Sequence, residues 1–197
     1  NGTSGNINHV NYAVPRPKKR PYEQIRLVAD QCARAVGEQY KKLVWHDWVP
    51  LSMRQRDLQL AVRKPTPAEL AHAKKLLSEP ERPDRFPHER SYAQSALLLQ
   101  NSPETVRVIL QAVRIGELGI SAIPFEVFSE IGLELKARSP LKPSFTIELA
   151  NGGYGYLPTP EQHKLGGYET WLGTNKVEVQ ASVKIVNALL EMFSELK

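Results

Sequence analysis

An α/β fold, with a mixed sheet flanked by helices, is what this chain predicts. Three observations carry it. Segments alternating apolar and polar residues (Leu58, Leu60, Val62; Val106, Val108, Leu110, Ala112) are separated by segments with helical spacing. One short run, Leu118–Pro124, is apolar on both faces, as a doubly covered strand must be. The chain then closes on a long amphipathic stretch, Val177–Leu196.

The elements follow in order. The first 21 residues read as loop and connector: Asn1 to Tyr12 is small and polar, a composition that frays unless something holds it. Pro15, Pro17 and Pro21 then stiffen a basic connector, with Pro21 suited to a first helical turn. Residues 22–197 read as the α/β body of a single domain spanning 1–197. From Tyr22 to Leu43, Ile25, Val28, Ala29, Cys32, Ala35, Val36, Tyr40 and Leu43 recur at helical spacing, which predicts a buried stripe with Cys32 as a packed thiol. Arg56–Arg63 reads as a half-buried strand. Pro65-Thr-Pro67 ends it, and Thr66 with Glu69 forms a capping box for a helix over Pro67–Leu77. Glu79–Pro87, rich in proline and charge, reads as a surface loop, followed by a helix over Arg90–Leu99. Thr105–Ile115 is a strand, Gly116-Glu117 a turn, Glu126–Arg138 a helix and Ser144–Ala150 a strand leading into the glycine-rich Asn151–Tyr156.

With 197 residues, 41% hydrophobic and 24% charged, the chain can bury a core without staples. Its single cysteine excludes an internal disulfide framework and a CxxC zinc knuckle. No run of 18 apolar residues occurs, so no transmembrane segment is expected. The net charge of +5 sits in Arg16–Arg20 and in Arg54, Arg56, Arg63 and Lys64. Neither cluster interleaves aromatics with cations, so no nucleic-acid partner is expected, and a solvated face is the plainer reading.

Chemistry gathers at two places where apolar strands end. Ala122-Ile-Pro-Phe-Glu126 delivers a carboxylate at a predicted helix start, where it is either a site group or a plain N-terminal helix charge. The run Leu149 to Tyr156, continuing to Gly166-Gly-Tyr168-Glu169, brings Tyr154, Tyr156 and Tyr168 onto a loop whose glycines permit close backbone approach. It lacks the endings of a phosphate loop or a dinucleotide site, and a tight turn with packing tyrosines is the alternative. His9, His46, His72, His88 and His163 form no chelating pair, so the chain cannot assemble a three-ligand zinc site by itself.

The order Ile-Pro-Phe-Glu126, then Glu-Leu-Ala-Asn-Gly-Gly-Tyr-Gly-Tyr156, then Thr159-Pro-Glu-Gln, then Gly-Gly-Tyr168-Glu169 resembles the C-terminal half of the catalytic domain of neutral/alkaline non-lysosomal ceramidases. The opening Asn1-Gly-Thr-Ser-Gly-Asn-Ile-Asn8 is similar to that family's nucleophile loop, usually Asn-x-Gly-Asp-x-Ser-Pro-Asn. The resemblance implies a zinc amidase of sphingolipid metabolism, secreted or periplasmic, acting on an N-acyl lipid or another amide or ester. It implies Glu126 and Tyr156 as zinc ligands and Tyr168 beside the substrate. The two zinc histidines would lie upstream of Asn1, on the missing N-terminal half of the domain or a second chain. One departure stands out: the nucleophile serine aligns with Asn8, and asparagine cannot act as a serine-type nucleophile. The resemblance therefore implies metal-activated water, with Asn8 hydrogen-bonding the developing oxyanion. The alternative is a catalytically inactive ceramidase-like binding or structural protein.

Overall fold

The computed structural model describes every residue except 9, 12, 16–17 and 83–87. Part of the predicted basic connector and the end of the predicted proline-rich loop therefore lie outside the described residues. The rest forms two compact units: Asn1–Ile7 with Pro50–Lys197, and Asn8–Val49.

The smaller unit contains α1 (Glu23–Tyr40). Its helical spacing is as expected, but its burial is not. None of its residues is buried, and Cys32 is exposed. The prediction of a packed thiol is thus corrected: periodicity creates a face that can be covered, without providing the cover.

The larger unit is built on β1 (Leu51–Ala61), β2 (Thr105–Ile115), β3 (Leu118–Ile123) and β5 (Ser144–Glu148), paired in the order β1-β2-β3-β5. The first two pairings are antiparallel and the last is parallel, as a mixed sheet requires. A separate parallel pair joins β4 (Glu126–Val127) to β6 (Tyr156–Leu157). Helices α2 (Pro67–Ser78), α3 (Glu89–Gln100), α4 (Ser129–Arg138), α5 (Pro160–Leu165) and α6 (Ala181–Leu196) complete it.

Period two decides which face is covered. Leu60, Val108, Leu110, Ala112 and Ile123 point to one side and form a core with Ile131 and Leu135 of α4 and Ile185, Leu189, Met192 and Phe193 of α6. Each large aliphatic or aromatic side chain buried there contributes about 1.5–3 kcal/mol. The other face is open but also apolar. Met53, Val113, Ile120 and Phe145 stand in one cross-strand row. Leu51, Met53, Ile115, Phe145 and Ile147 remain exposed there.

The expected capping box at Thr66 is present, with Glu69 Oε2 accepting from Thr66 N at 2.7 Å. The arginines of β1 are not a loose solvated patch. Arg54 and Arg56 reach the carboxylates of Glu195 and Glu191 on α6, at 3.3 Å for Arg54 with Glu195.

Packing within the larger unit holds residues Asn1–Ile7. Ser4 donates its N–H to the buried carboxylate of Glu148 at 3.1 Å and its hydroxyl to the same group. Val127 N–H donates to Glu148 Oε2 at 2.9 Å, so one carboxylate ties the opening segment to β4. Asn6 Oδ1 accepts from Ser129 N at 2.8 Å, capping α4 from a distant part of the chain. Between them, Gly5 lies so close to β4 that an added Cβ would stand 2.6 Å from the Glu126 carbonyl oxygen. Backbone cannot yield there, so Gly5→Ala is expected to displace residues 3–7 at a cost of about 1–3 kcal/mol. Faster exchange of the residue-5 amide, which in the unsubstituted chain donates to Val127 O at 2.8 Å, checks it; unchanged exchange refutes it.

Candidate active site

The β4–β6 pair sets the geometry. Its register places Glu126 directly beside Tyr156, on parallel strands and hence on the same face. Glu126 therefore lies in a strand, three residues before α4 begins, which corrects its predicted place at a helix start. The cause is pairing: Glu126 N–H donates to Gly155 O at 2.9 Å and Phe128 N–H to Leu157 O at 3.2 Å, holding the backbone extended until Ser129.

The strand leading to the glycine-rich loop ends at Glu148, because Leu149 and Asn151 take left-handed backbone angles, φ 54° and 66°. Leu149, Ala150 and Tyr154 then donate their N–H groups to Phe125, Ile123 and Pro124 carbonyls, folding the loop over the β3–β4 connection. Gly155 has φ +88°, and a Cβ there would meet Thr174 O at 2.2 Å. Only glycine fits, and it delivers Tyr156 into register.

The three loop tyrosines divide by role. Tyr154 packs its ring on Phe125 at 5.6 Å and donates its hydroxyl to Arg107 O at 3.3 Å, a structural task. Tyr156 and Tyr168 bring their hydroxyl oxygens to 2.9 Å, their rings edge-to-face at 5.5 Å and 84°. The Glu126 carboxylate acts on the Tyr156 phenol electrostatically. Burial, then the bond to Tyr168 and the influence of Glu126, push the Tyr156 phenol well above its ordinary value of 10.0. Tyr168 opens a short 3₁₀ turn, Tyr168–Thr170, and is half exposed, so it stands at the mouth of the group. Glu126, Tyr156 and Tyr168 thus converge from three separate parts of the chain. Asn8 follows Ile7 in the chain and is the first residue of the smaller unit.

Among the described residues no three His, Cys, Asp or Glu side chains cluster for a metal ion. Two residues outside the predicted site flank the tyrosines. Asn175 is 1% exposed, and Arg63, expected on a solvated face, reaches it. Their only signal in the sequence was a lone asparagine in a loop and a cation ending a strand.

His163, on α5, has a buried Nε2 without a hydrogen-bond partner among the described residues. Burial first, then the charge of Arg63, hold its pKa below the ordinary 6.5. The unfolded chain therefore takes up this proton before the folded one. Stability is present above pH 6.5 and falls as the pH drops below it. Thermal melts between about pH 7.5 and 5.5 should show a decline that His163→Phe flattens; an equal decline in the variant refutes it.

No protein-family model matches the chain, and no curated protein does. Solved structures do. Neutral ceramidase from Pseudomonas aeruginosa superposes on 75% of this chain with a TM-score of 0.51 at 16% identity. The fold is that of part of a neutral ceramidase. A ceramidase described as complexed with C2 matches 48% of the chain, with a TM-score of 0.42 and 20% identity. The chain spans 28% of the Pseudomonas ceramidase it matches and 15% of the other. The fold expected from the ceramidase-like motifs is therefore the fold observed. No helix among the described residues is long and apolar enough to cross a membrane.

Proposed function

We propose that this chain supplies part of the active site of a ceramidase-like zinc hydrolase that cleaves an amide, or ester, in an N-acyl lipid. The observation that carries the reading is the convergence of Glu126, Tyr156 and Tyr168 within a ceramidase-like fold. A carboxylate and a phenol from register partners on one face suit one half of a tetrahedral zinc site. The remaining donors come from outside this chain, on the rest of the catalytic domain or a second chain. The open apolar face carrying Met53, Val113, Ile120 and Phe145 supports such a covering polypeptide, as does the 28% span. By the same likeness the protein works outside the cytoplasm, secreted or periplasmic.

Zinc, when bound, polarises the scissile carbonyl and activates water. The residues of this chain do the rest. Glu126 and Tyr156 would hold the ion through a carboxylate and a phenol oxygen. Tyr168, at the mouth and hydrogen-bonded to Tyr156, orients the substrate's polar head. Asn8, in the place of the family serine, donates its amide N–H to developing charge and forms no acyl-enzyme.

The test is hydrolysis of an N-acyl sphingoid amide by the zinc-loaded complete protein. Asn8→Ala should keep measurable turnover, having lost a donor that contributes about 2.7–4 kcal/mol. A trapped covalent acyl adduct would sink this mechanism. The 197-residue chain alone should bind zinc only weakly, since two oxygen donors leave the ion half coordinated. Tight stoichiometric zinc on it refutes the shared site. A second reading, an inactive binding protein, is favoured by Asn8 alone; it prevails if the zinc-loaded protein hydrolyses no amide or ester.

A further inference from the structure

The Tyr156–Tyr168 hydroxyl contact needs two segments that do not pair with each other along the backbone to be held at one distance. The backbone shows what joins them. Val62 bridges Val177, and Arg63 N–H donates to Lys176 O at 2.9 Å, so the end of β1 runs beside Asn175. From there one guanidinium nitrogen, Arg63 Nη1, donates twice: to Thr170 O at 2.7 Å and to Asn175 Oδ1 at 2.8 Å. Thr170 closes the turn that Tyr168 opens. Asn175 in turn donates Nδ2 to Tyr156 O at 3.0 Å.

We infer that Arg63 and Asn175 are positioning residues, a two-residue brace fixing the separation of the Tyr156 and Tyr168 hydroxyls. The brace has one branch to each tyrosine: Arg63 to the end of the Tyr168 turn, and Asn175 to the Tyr156 carbonyl. Both polar ends of the Asn175 side chain are used, as a residue 1% exposed requires. The planar guanidinium fixes the angle between its two bonds, which a flexible ammonium does not. Partial burial, which lowers the Arg63 pKa against the opposing charge of Glu69, strengthens both bonds by excluding water. Thr174 joins the same two segments, its carbonyl accepting Tyr156 N–H at 2.9 Å and its hydroxyl donating to Tyr168 O, and the Arg63–Asn175 pair adds side-chain bonds from a third segment. An apolar residue in place of the buried Asn175 would cost less unless its two bonds matter.

The importance of the brace for turnover rests on the proposed function; the brace itself does not. It is tested on the metal-free 197-residue chain by NMR. The edge-to-face rings at 5.5 Å give an inter-ring cross-peak and an upfield ring-current shift. Asn175→Leu and Arg63→Met should each abolish both while amide protection in α6 stays at the unsubstituted level. Should Asn175→Leu not fold, Arg63→Met, which keeps its aliphatic stem, gives the same reading. A retained cross-peak overturns the brace. So does its loss together with α6 protection, which would make the two residues part of the general core. In the complete protein, Arg63→Met should lower kcat at least about ten-fold with KM within about two-fold. If the cross-peak is lost but the unsubstituted protein hydrolyses nothing, the brace stands and the proposed function falls.

Discussion

On the proposed function, Glu126→Gln is expected to strip zinc from the complete protein and to lower turnover by more than about 100-fold, beyond the 10–100-fold typical of losing an outer-shell partner. The substitution is nearly isosteric, and Glu126 pairs along β4 through its backbone, so the β4–β6 register should survive. What is lost is charge: a neutral amide is a poor ligand for the proposed divalent ion, which would otherwise take only a phenol from this chain. Tyr156→Phe should act in the same direction, leaving the edge-to-face ring contact while removing the donor oxygen. Metal content by elemental analysis, read beside the rate, decides the matter. Stoichiometric zinc in Glu126→Gln would remove this residue from the site.

The largest effect on stability should come from Gly155→Ala. Two penalties coincide there. A side chain at φ +88° pays for a left-handed backbone, about 1–2 kcal/mol, and its Cβ would meet the Thr174 carbonyl at 2.2 Å. That carbonyl is engaged, accepting Tyr156 N–H at 2.9 Å, so it cannot swing aside without breaking the strand that carries the tyrosine. Together these give about 2–5 kcal/mol, or a melting temperature lower by roughly 5–15 °C. Gly153→Ala, two residues away, is the control: a Cβ there meets nothing within 4 Å, and φ is not in the left-handed region. Equal melting temperatures for the two variants would refute the argument.

Several parts of this molecule were legible one residue at a time. The Thr66–Glu69 capping box rests on contacts three residues apart, and it forms as written. The strand over Thr105–Ile115 rests on strict alternation and is found with those bounds. β1 begins at Leu51, five residues before the expected Arg56, because Ser52 to Gln55 carry no clear alternation and are held by pairing with Gln111–Arg114. The order of motifs around Glu126, Tyr156 and Tyr168 likewise points to a ceramidase-like fold, and that fold is observed.

By itself, then, the sequence determined the α/β class, the helical and strand periods, the glycines of the tyrosine loop and the residue types at the candidate site. Each depends on neighbours within a turn or a few residues, where local backbone energetics are decisive. Tertiary structure alone decided that α1 keeps its apolar stripe and Cys32 exposed, and that Glu126 extends into a strand instead of starting a helix. It alone decided that Glu148 anchors Ser4 from 144 positions away, and that Arg63 and Asn175 meet between two tyrosines. These outcomes share one cause. A buried polar group must find its hydrogen-bond partner wherever the chain brings one, and an apolar stripe is buried only where another surface arrives to cover it.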